Sequence, residues 1–393
     1  MAKIFPFRAY RYSSRAGDPA HVVTQPYDKI SLEMQERYLS LSPYNLARVI
    51  RAGGDYTRAA QYLDDWIASG ILVQEPQPAL FAYFQKFQVP DTNCIAIRKG
   101  LVALGAVEDY SAGTVYRHEL THSGPKRDRL ELLRHTHAHF GQLFLLYDDP
   151  QLAVDALLDR AAQTEPATRV TDEYGAEHTL WPLRDPQTIA TIQNLMAPQR
   201  LLIADGHHRY ETALAFRCEN PGLPGADKVM MTLVNMRSPG LVILPTHRVV
   251  CGRPDLDSAG ILEKARQFFT VAALPSLEAL QARLRAAPPG RVVIGALLPR
   301  PYIFETAGGQ LDVVVLHKTL LQRVAGESNI RYVRGFHEAA RQIESPEVQA
   351  VFLLNAVPVD QVAQAAFSGG VMPQKSTDFY PKLLSGMAIY KLE

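Results

Sequence analysis

Apolar positions recur along this chain at two spacings, one helical and one alternating, and the two are interleaved from end to end. Over residues 56–69, Ala59, Ala60, Leu63, Trp66 and Ile67 share one helical face, and Gly70 stops the run. Strand patterns occupy 80–89 and 95–108, with Asp91-Thr92-Asn93 between them as a hairpin loop. Helical spacing returns between Pro125 and His135, 142–147 is a short apolar strand, and 152–163 is helical. Residues 170–171 and 178–181 flank Tyr174-Gly175, a second hairpin turn. Helix 188–196, buried strand 201–204 and helix 209–217 come next, then strands at 229–234 and 241–244.

Beyond Pro254 the pattern predicts helices near 258–269 and 276–285, strands at 292–297 and 302–305, and a hairpin at Gly308-Gly309. Further helical spacing lies near 336–343 and 359–367. Helices and strands mixed with several hairpins make the class α+β, or mixed α/β. Proline punctuation suggests an N-terminal α+β domain over 1–150, a second region over 151–254 and a C-terminal α/β region over 255–393. The pattern is equally compatible with all three forming one compact unit.

Composition narrows the possible functions. Lys+Arg number 41 against 40 Asp+Glu in 393 residues, and 47% of the chain is hydrophobic. This suits a folded core and excludes a disordered chain. A net charge of +1 argues against a coat for nucleic acid polymers, which must neutralise many phosphates. Cys94, Cys218 and Cys251 are widely spaced and form neither a disulfide framework nor a zinc knuckle. No signal-like leader and no apolar run near ~18 residues is present, so the expectation is a cytoplasmic protein that does not cross a membrane.

Charge is patterned locally. Residues 117–139 hold five Lys/Arg and five of the 12 histidines against three Asp/Glu. Lys126, Arg127 and Arg129 fall in the first turn of the helix that Pro125 opens, where cations oppose the dipole unless an anion docks. His118 with His122, or His135, His137 and His139 together, have spacings that invite a zinc site. The first pair runs into Ser123-Gly124-Pro125, a poor helix, and the second set sits at a helix end where it can bond the last carbonyls.

The sharpest signal is the stretch 201–213. A buried strand ends at Asp205, Gly206 turns the chain, and a helix begins at once. Unpaired backbone N–H groups and the dipole favour an anion there, and His207, His208 and Arg209 add donors. Asp205 would hold magnesium or accept a proton. A third cluster at 369–382 contains Lys375, Ser376, Thr377 and Lys382; Gln374 and Pro373 rule out a true P-loop, but the side chains remain anion donors. Smaller candidates are Tyr27 and Asp28 in a substrate loop, and His247, which would approach Asp205 if their strands pair.

The box DGHHRYETA at 205–213 is similar to the phosphate-binding box of the ParB/sulfiredoxin-like superfamily. The wider chain resembles the domain of unknown function 1015 family, through IFPFR at 4–8, VTQPYD at 23–28, SPYN at 42–45, SGPK at 123–126, LPTHR at 244–248 and MPQKST at 372–377. ParB-like relatives include CTP hydrolases, an ATP-dependent sulfinic acid reductase and kinases of free serine. The resemblance implies a ParB/sulfiredoxin-like nucleotide-binding core, elaborated by mixed-sheet additions, with a nucleotide phosphate at the box. The box lacks the sulfiredoxin cysteine, having histidines there, and no ParB helix-turn-helix is evident after residue 220.

The leading expectation is therefore nucleotide-dependent phosphoryl transfer to or from a small metabolite, such as a hydroxy or amino acid, with ATP or ADP and magnesium. Gly206, His208, Arg209, Lys126, Arg129, Lys375 and Ser376 would bind phosphate; Asp205, His207 and Glu119 would be catalytic. The alternatives are a phosphate-monoester hydrolase and a non-enzymatic sensor of a nucleotide or phosphometabolite. All three take a small anionic ligand.

Overall fold

The computed structural model describes residues 1–119 and 123–392. The chain divides into two compact units, Met1–Val242 with Pro381–Glu393, and Ile243–Tyr380.

The first unit is built on a nine-stranded mixed sheet. Its strands are β1 (Ile4–Phe5), β2 (Leu80–Gln88), β3 (Ile95–Ala106), β4 (Val115–Tyr116), β5 (Leu143–Tyr147), β6 (Thr168–Thr171), β7 (Glu177–Leu183), β8 (Leu201–Asp205) and β9 (Lys228–Asn235). They lie in the order β4-β8-β5-β9-β3-β2-β7-β6, with β1 paired to the end of β3 at Leu104 and Gly105. The pairs β8–β4 and β9–β5 are parallel, the rest antiparallel. The central β5 is buried along its whole length, which explains its unbroken apolar run. In β3, glycine lets the neighbouring strand's side chains lie across it. A Cβ on Gly100 would stand 2.6 Å from Thr232 Cγ2, and one on Gly105 2.1 Å from Met231 Cε.

Helices α1 (Tyr56–Ala68), α2 (Ser123–Thr136), α3 (Ala153–Ala161), α4 (Pro186–Met196) and α5 (His207–Glu219) belong to this unit. Capping chemistry sets their starts where the sequence supplies it. Asp55 accepts from the Arg58 amide at 3.1 Å, and Asp185 accepts from the Thr188 amide at 2.8 Å with Pro186 at the first helical position. The core joins Leu145, Ile203 and Leu233 of the sheet to Ile192 of α4 and Tyr210 of α5.

Residues after 380 return to the first unit. Thr24 and Ser385 exchange two backbone hydrogen bonds, at 3.1 and 2.8 Å, and Tyr390–Lys391 pairs with Ala138–His139. The expected cut near residue 150 falls inside this unit, because β2, β3 and β5 share one sheet with β7, β8 and β9. The backbone passes into the second unit at 242–243, before Pro254, and the terminal stretch does not belong to that second unit.

The second unit holds a six-stranded antiparallel sheet of β10 (Thr246–Cys251), β11 (Thr270–Ala273), β12 (Arg291–Leu298), β13 (Arg300–Ala307), β14 (Ile330–Arg334) and β15 (Val348–Leu353). The order is β11-β13-β12-β15-β10-β14. Helices α6 (Ser258–Arg266), α7 (Leu277–Arg285), α8 (Phe336–Arg341) and α9 (Val359–Phe367) accompany it. Gly308-Gly309 does not turn a hairpin here, since the chain runs on into a helical turn at Asp312–Leu316. The hairpin is β12–β13, which reverses at Pro299 between the paired Leu298 and Arg300. Mixed α/β, as the periodicities imply, describes both units. Among the described residues no helix is long and apolar enough to cross a membrane.

Candidate functional site

Strand β8 ends at Asp205, and Gly206, at φ +98°, turns the backbone directly into α5. Glycine tolerates this left-handed conformation and brings no capping side chain, so the first amide donors of α5 have no local side-chain acceptor. There is no room for more: a Cβ on Gly206 would lie 3.0 Å from Leu143 Cδ2 and 3.1 Å from the Arg209 guanidinium. Helix α5 is locked to the sheet further along. Tyr210 Oη donates to the Glu108 carbonyl at 2.7 Å and accepts from the Glu108 amide at 3.1 Å.

Asp205 gathers the cations. Arg209 Nη2 donates to Asp205 Oδ2 at 2.7 Å, Lys382 Nζ donates to Oδ1 at 3.3 Å, and Arg209 Nη1 donates to the Gln142 carbonyl. Burial pushes the Asp205 carboxyl up, but Lys382, Arg209 and Lys29 outweigh it and hold the group well below the ordinary range. Asp205 is therefore an ionised anchor for cations, too weak a base for the proton-accepting role that its position at the strand end invites. Both oxygens of the carboxylate bond cations, so a magnesium ion on Asp205 would have to displace Arg209 or Lys382.

His207 points into the protein. It is 8% exposed, its ring lies edge-on to His118 with centroids 4.7 Å apart, and its Nε2 has no hydrogen-bond partner among the described residues. His118 is wholly buried and bonds through Nδ1 to the Ile203 carbonyl at 2.8 Å. Burial pushes the imidazole of His118 down to about 4, and burial with the neighbouring His118 pushes that of His207 well below its ordinary value too. Both shifts favour the neutral rings. For His207, burial against His118 disfavours the charged form that acid–base service near neutrality would use. His208 is half-buried in the first turn of α5.

The segments 117–129 and 205–211 do meet. Lys126 and Arg117 both reach Glu211, at 3.3 and 3.4 Å. Lys126 therefore lies along a different side of α5 from Arg209, in a broad cleft with Tyr110 and Arg217. Arg129 is elsewhere again. Its Nε donates to Asp128 at 2.8 Å, its guanidinium sits 4.1 Å over the Tyr27 ring, and it shares a cavity with Arg209. Tyr27, raised above its ordinary range chiefly by burial, is thus drawn to the site, whereas Asp28 is exposed. Glu119 is half-buried. His122 and the residues beside it, 120–121, lie outside the described residues. His135 bonds the Glu131 carbonyl at 2.8 Å, the helix-end contact open to it.

Lys375, Ser376 and His247 belong to the second unit. Ser376 Oγ donates to the Pro373 carbonyl at 2.5 Å, and the Lys375 carbonyl accepts from the buried Arg248 at 3.0 Å, so this stretch is a turn built around Arg248. His247 does not reach Asp205 by strand pairing, because β10 pairs with β14 and β15 while β8 pairs with β4 and β5. It is buried, with Nδ1 accepting from the Leu354 amide at 3.1 Å.

Lys382, the last member of the third cluster, is held in place by groups that strand periodicity does not single out. Buried Arg98 bonds Gln85 at 2.9 Å and the Pro381 carbonyl, Gln85 donates to the Lys382 carbonyl at 2.8 Å, and the Leu384 amide donates to Tyr83 Oη at 3.3 Å. Tyr83 Oη in turn meets His178 Nδ1 at 2.7 Å, and His178 Nε2 meets Asp172 at 3.1 Å. The signal available in the sequence was Gln85 and Arg98 themselves, polar residues at buried strand positions beside the less buried Lys86 and Lys99.

The model of a family described as "Protein of unknown function (DUF1015)" matches residues 4–322. No curated protein matches the chain. Among solved structures, a free serine kinase in complex with AMP is 14% identical with a TM-score of 0.38, over 71% of this chain and 88% of that one. SbnI with a C-terminal truncation, from Staphylococcus aureus, is 10% identical with a TM-score of 0.38, over 72% of this chain and 85% of that one. A conserved hypothetical protein from Pyrococcus furiosus is 14% identical with a TM-score of 0.36, covering 68% and 87%.

Proposed function

The chain belongs to the DUF1015 family, and we propose that it binds a nucleotide such as ATP or ADP at the start of α5 and moves phosphate between it and a small metabolite. One observation carries this reading. Helix α5 starts after Gly206 with no side-chain cap, and beside that start Arg209 and Lys382 share Asp205 as their anion, which supports an anion site there. A phosphoryl group entering there would find amide donors and two cations already positioned, which is what a phosphate-transfer transition state requires. Charge neutralisation falls to Arg209 and Lys382 on this reading, and Glu119 is left as the carboxylate for proton transfer.

The test is calorimetric titration of ATP, ADP and AMP, with and without magnesium, on wild type and Arg209→Ala. Binding that weakens at least tenfold in Arg209→Ala supports the reading. If no nucleotide binds the wild type, the reading fails.

A second reading, a sensor that binds the ligand without turning it over, is favoured by a specific observation. Asp205 is held ionised by its cations and His207 is held neutral by burial, so neither is poised as a base near neutral pH. Ligand binding with no turnover, unaltered by Glu119→Gln, would select it over the kinase and over a phosphate-monoester hydrolase.

A further inference from the structure

A cavity of about 70 Å³ lies beside the first turns of α5, on the side away from Glu211. Its polar side chains are Tyr27, Arg129, His139, Arg209, Thr212 and Ser385; the rest is largely apolar, with Leu143 and Val229 among the contributors. The two arginine side chains are only 10% and 16% exposed. Their acidic partners, Asp128 and Asp205, do not line the cavity. Asp128 engages Nε and Nη2 of Arg129, and Arg209 directs one terminal nitrogen to Asp205 and the other to the Gln142 carbonyl. Each guanidinium has five N–H donors, so both forks retain donors beyond these bonds. The field inside is that of two cations whose counterions stand outside the wall.

Size then selects the ligand. A water molecule needs roughly 10–15 Å³ of such space, so the sheltered part of the cavity takes about five to seven water-sized groups. A nucleotide could place only one end there, the rest lying outside in solvent. A bare tetrahedral dianion needs donors on every side, and the side formed by Leu132, Leu133, Leu143 and Val229 supplies none from its side chains. A planar carboxylate meets guanidinium forks edge-on and leaves a short hydrocarbon end for Leu143 and Val229.

We propose that this cavity is a binding site for a short-chain carboxylate of about two to four carbons, held by Arg129 and Arg209. If the phosphotransfer reading holds, this site deepens it, because the bound acid is the small reactant and Arg209 stands between the two ligands. The site's own test needs no nucleotide.

Acetate, butyrate and inorganic phosphate are titrated separately into the full-length protein, with binding followed by ligand-observed NMR. Arg129→Gln and Gly141→Ala are measured beside wild type, each checked for folding by circular dichroism. Gly141→Ala is the sharper probe, since its methyl would sit 3.2 Å from Ser385 Oγ and 3.3 Å from Arg209 Nη1 without removing a cation. The expected result is carboxylate binding that drops at least tenfold in Arg129→Gln, and that Gly141→Ala weakens more for butyrate than for acetate. Should Arg129→Gln fail to fold, the Gly141→Ala comparison decides alone. Carboxylate affinities equal in wild type and Gly141→Ala, or phosphate binding in place of carboxylate, would overturn the proposal. Carboxylate binding with no nucleotide binding would leave this site standing and remove only the phosphotransfer reading.

Discussion

Lys382 reaches Asp205 across 3.3 Å although 177 positions separate them in the chain. The pair sits where strand β8 gives way to α5, and it ties the terminal stretch directly to the DGHHR box. Lys382→Ala removes the foremost of the cations that hold Asp205 down, so the Asp205 carboxyl is expected to titrate at higher pH than in wild type. Carbon-13 NMR of aspartate carboxyls reads this directly. On the proposed function, the same substitution weakens phosphate binding by roughly ten- to a hundredfold, the range of a charged hydrogen bond.

The buried histidines make stability depend on pH. The folded-state value of His118 lies at about 4 against an ordinary 6.5, so the unfolded chain binds the proton first. Its contribution is fully present above pH 6.5 and is lost as pH falls toward 4, on the order of 3 kcal/mol in all. His207 acts in the same direction. Urea unfolding at pH 7.5 and pH 5 is expected to show a clear loss at the lower value, and His118→Gln to flatten that slope. An equal slope in wild type and His118→Gln would contradict the assignment. Asp205, held below its ordinary range, contributes stability that is lost only as pH falls below about 4, outside this window.

Gly206→Ala forces a side chain into a left-handed backbone position at φ +98° and against both Leu143 and Arg209. A loss of about 1–2 kcal/mol is expected from the backbone alone. On the proposed function, ligand affinity is expected to fall as well, because the new methyl contacts the Arg209 guanidinium. Unfolding curves and titrations separate the two effects. Gly175→Ala, also at positive φ but in open space at a hairpin turn, should cost stability without touching affinity.

Tyr83→Phe removes the hydroxyl that accepts from the Leu384 amide and meets His178. The expected cost is about 1 kcal/mol. Limited proteolysis should then cut the 381–391 stretch faster than in wild type, with β2 and β3 unaffected. Unchanged protection of that stretch would mean that Arg98 and Gln85 hold it without help.

The strand and helix periods were legible wherever one element had one wet face or one long apolar run: α1, the β2–β3 hairpin and α5 all lie within a few residues of their sequence limits. Short strands such as β4, and the pairings that put β8 beside β5, carry no local pattern, because partner choice is made between distant segments. Gly308-Gly309 misled because a glycine pair permits a turn without dictating whether a strand or a helix succeeds it. At the site, Asp205, Gly206 and Arg209 were visible because strand, turn and helix adjoin in sequence. The neutrality of His207 was not, since it depends on burial against His118, 89 positions earlier by number. Lys126 and Arg129 looked equivalent in one helical turn, yet Lys126 turns to Glu211 in one cleft while Arg129 turns to Asp128 and Tyr27 in another, a choice of partners made by distant segments. The family resemblance was legible in the sequence and is borne out by the family match; the link to ParB-like proteins rests on the box alone.

The return of residues 381–391 to the first unit also sets a clock. During synthesis at about 5–20 residues per second, Asp205 leaves the ribosome on the order of ten to thirty seconds before Lys382 exists. For that interval the nascent chain carries the DGHHR box without the lysine that completes its ring of cations, while the whole second unit is being made. On the proposed function, a growing chain is thus kept from engaging an anionic ligand in final form until translation has passed residue 382.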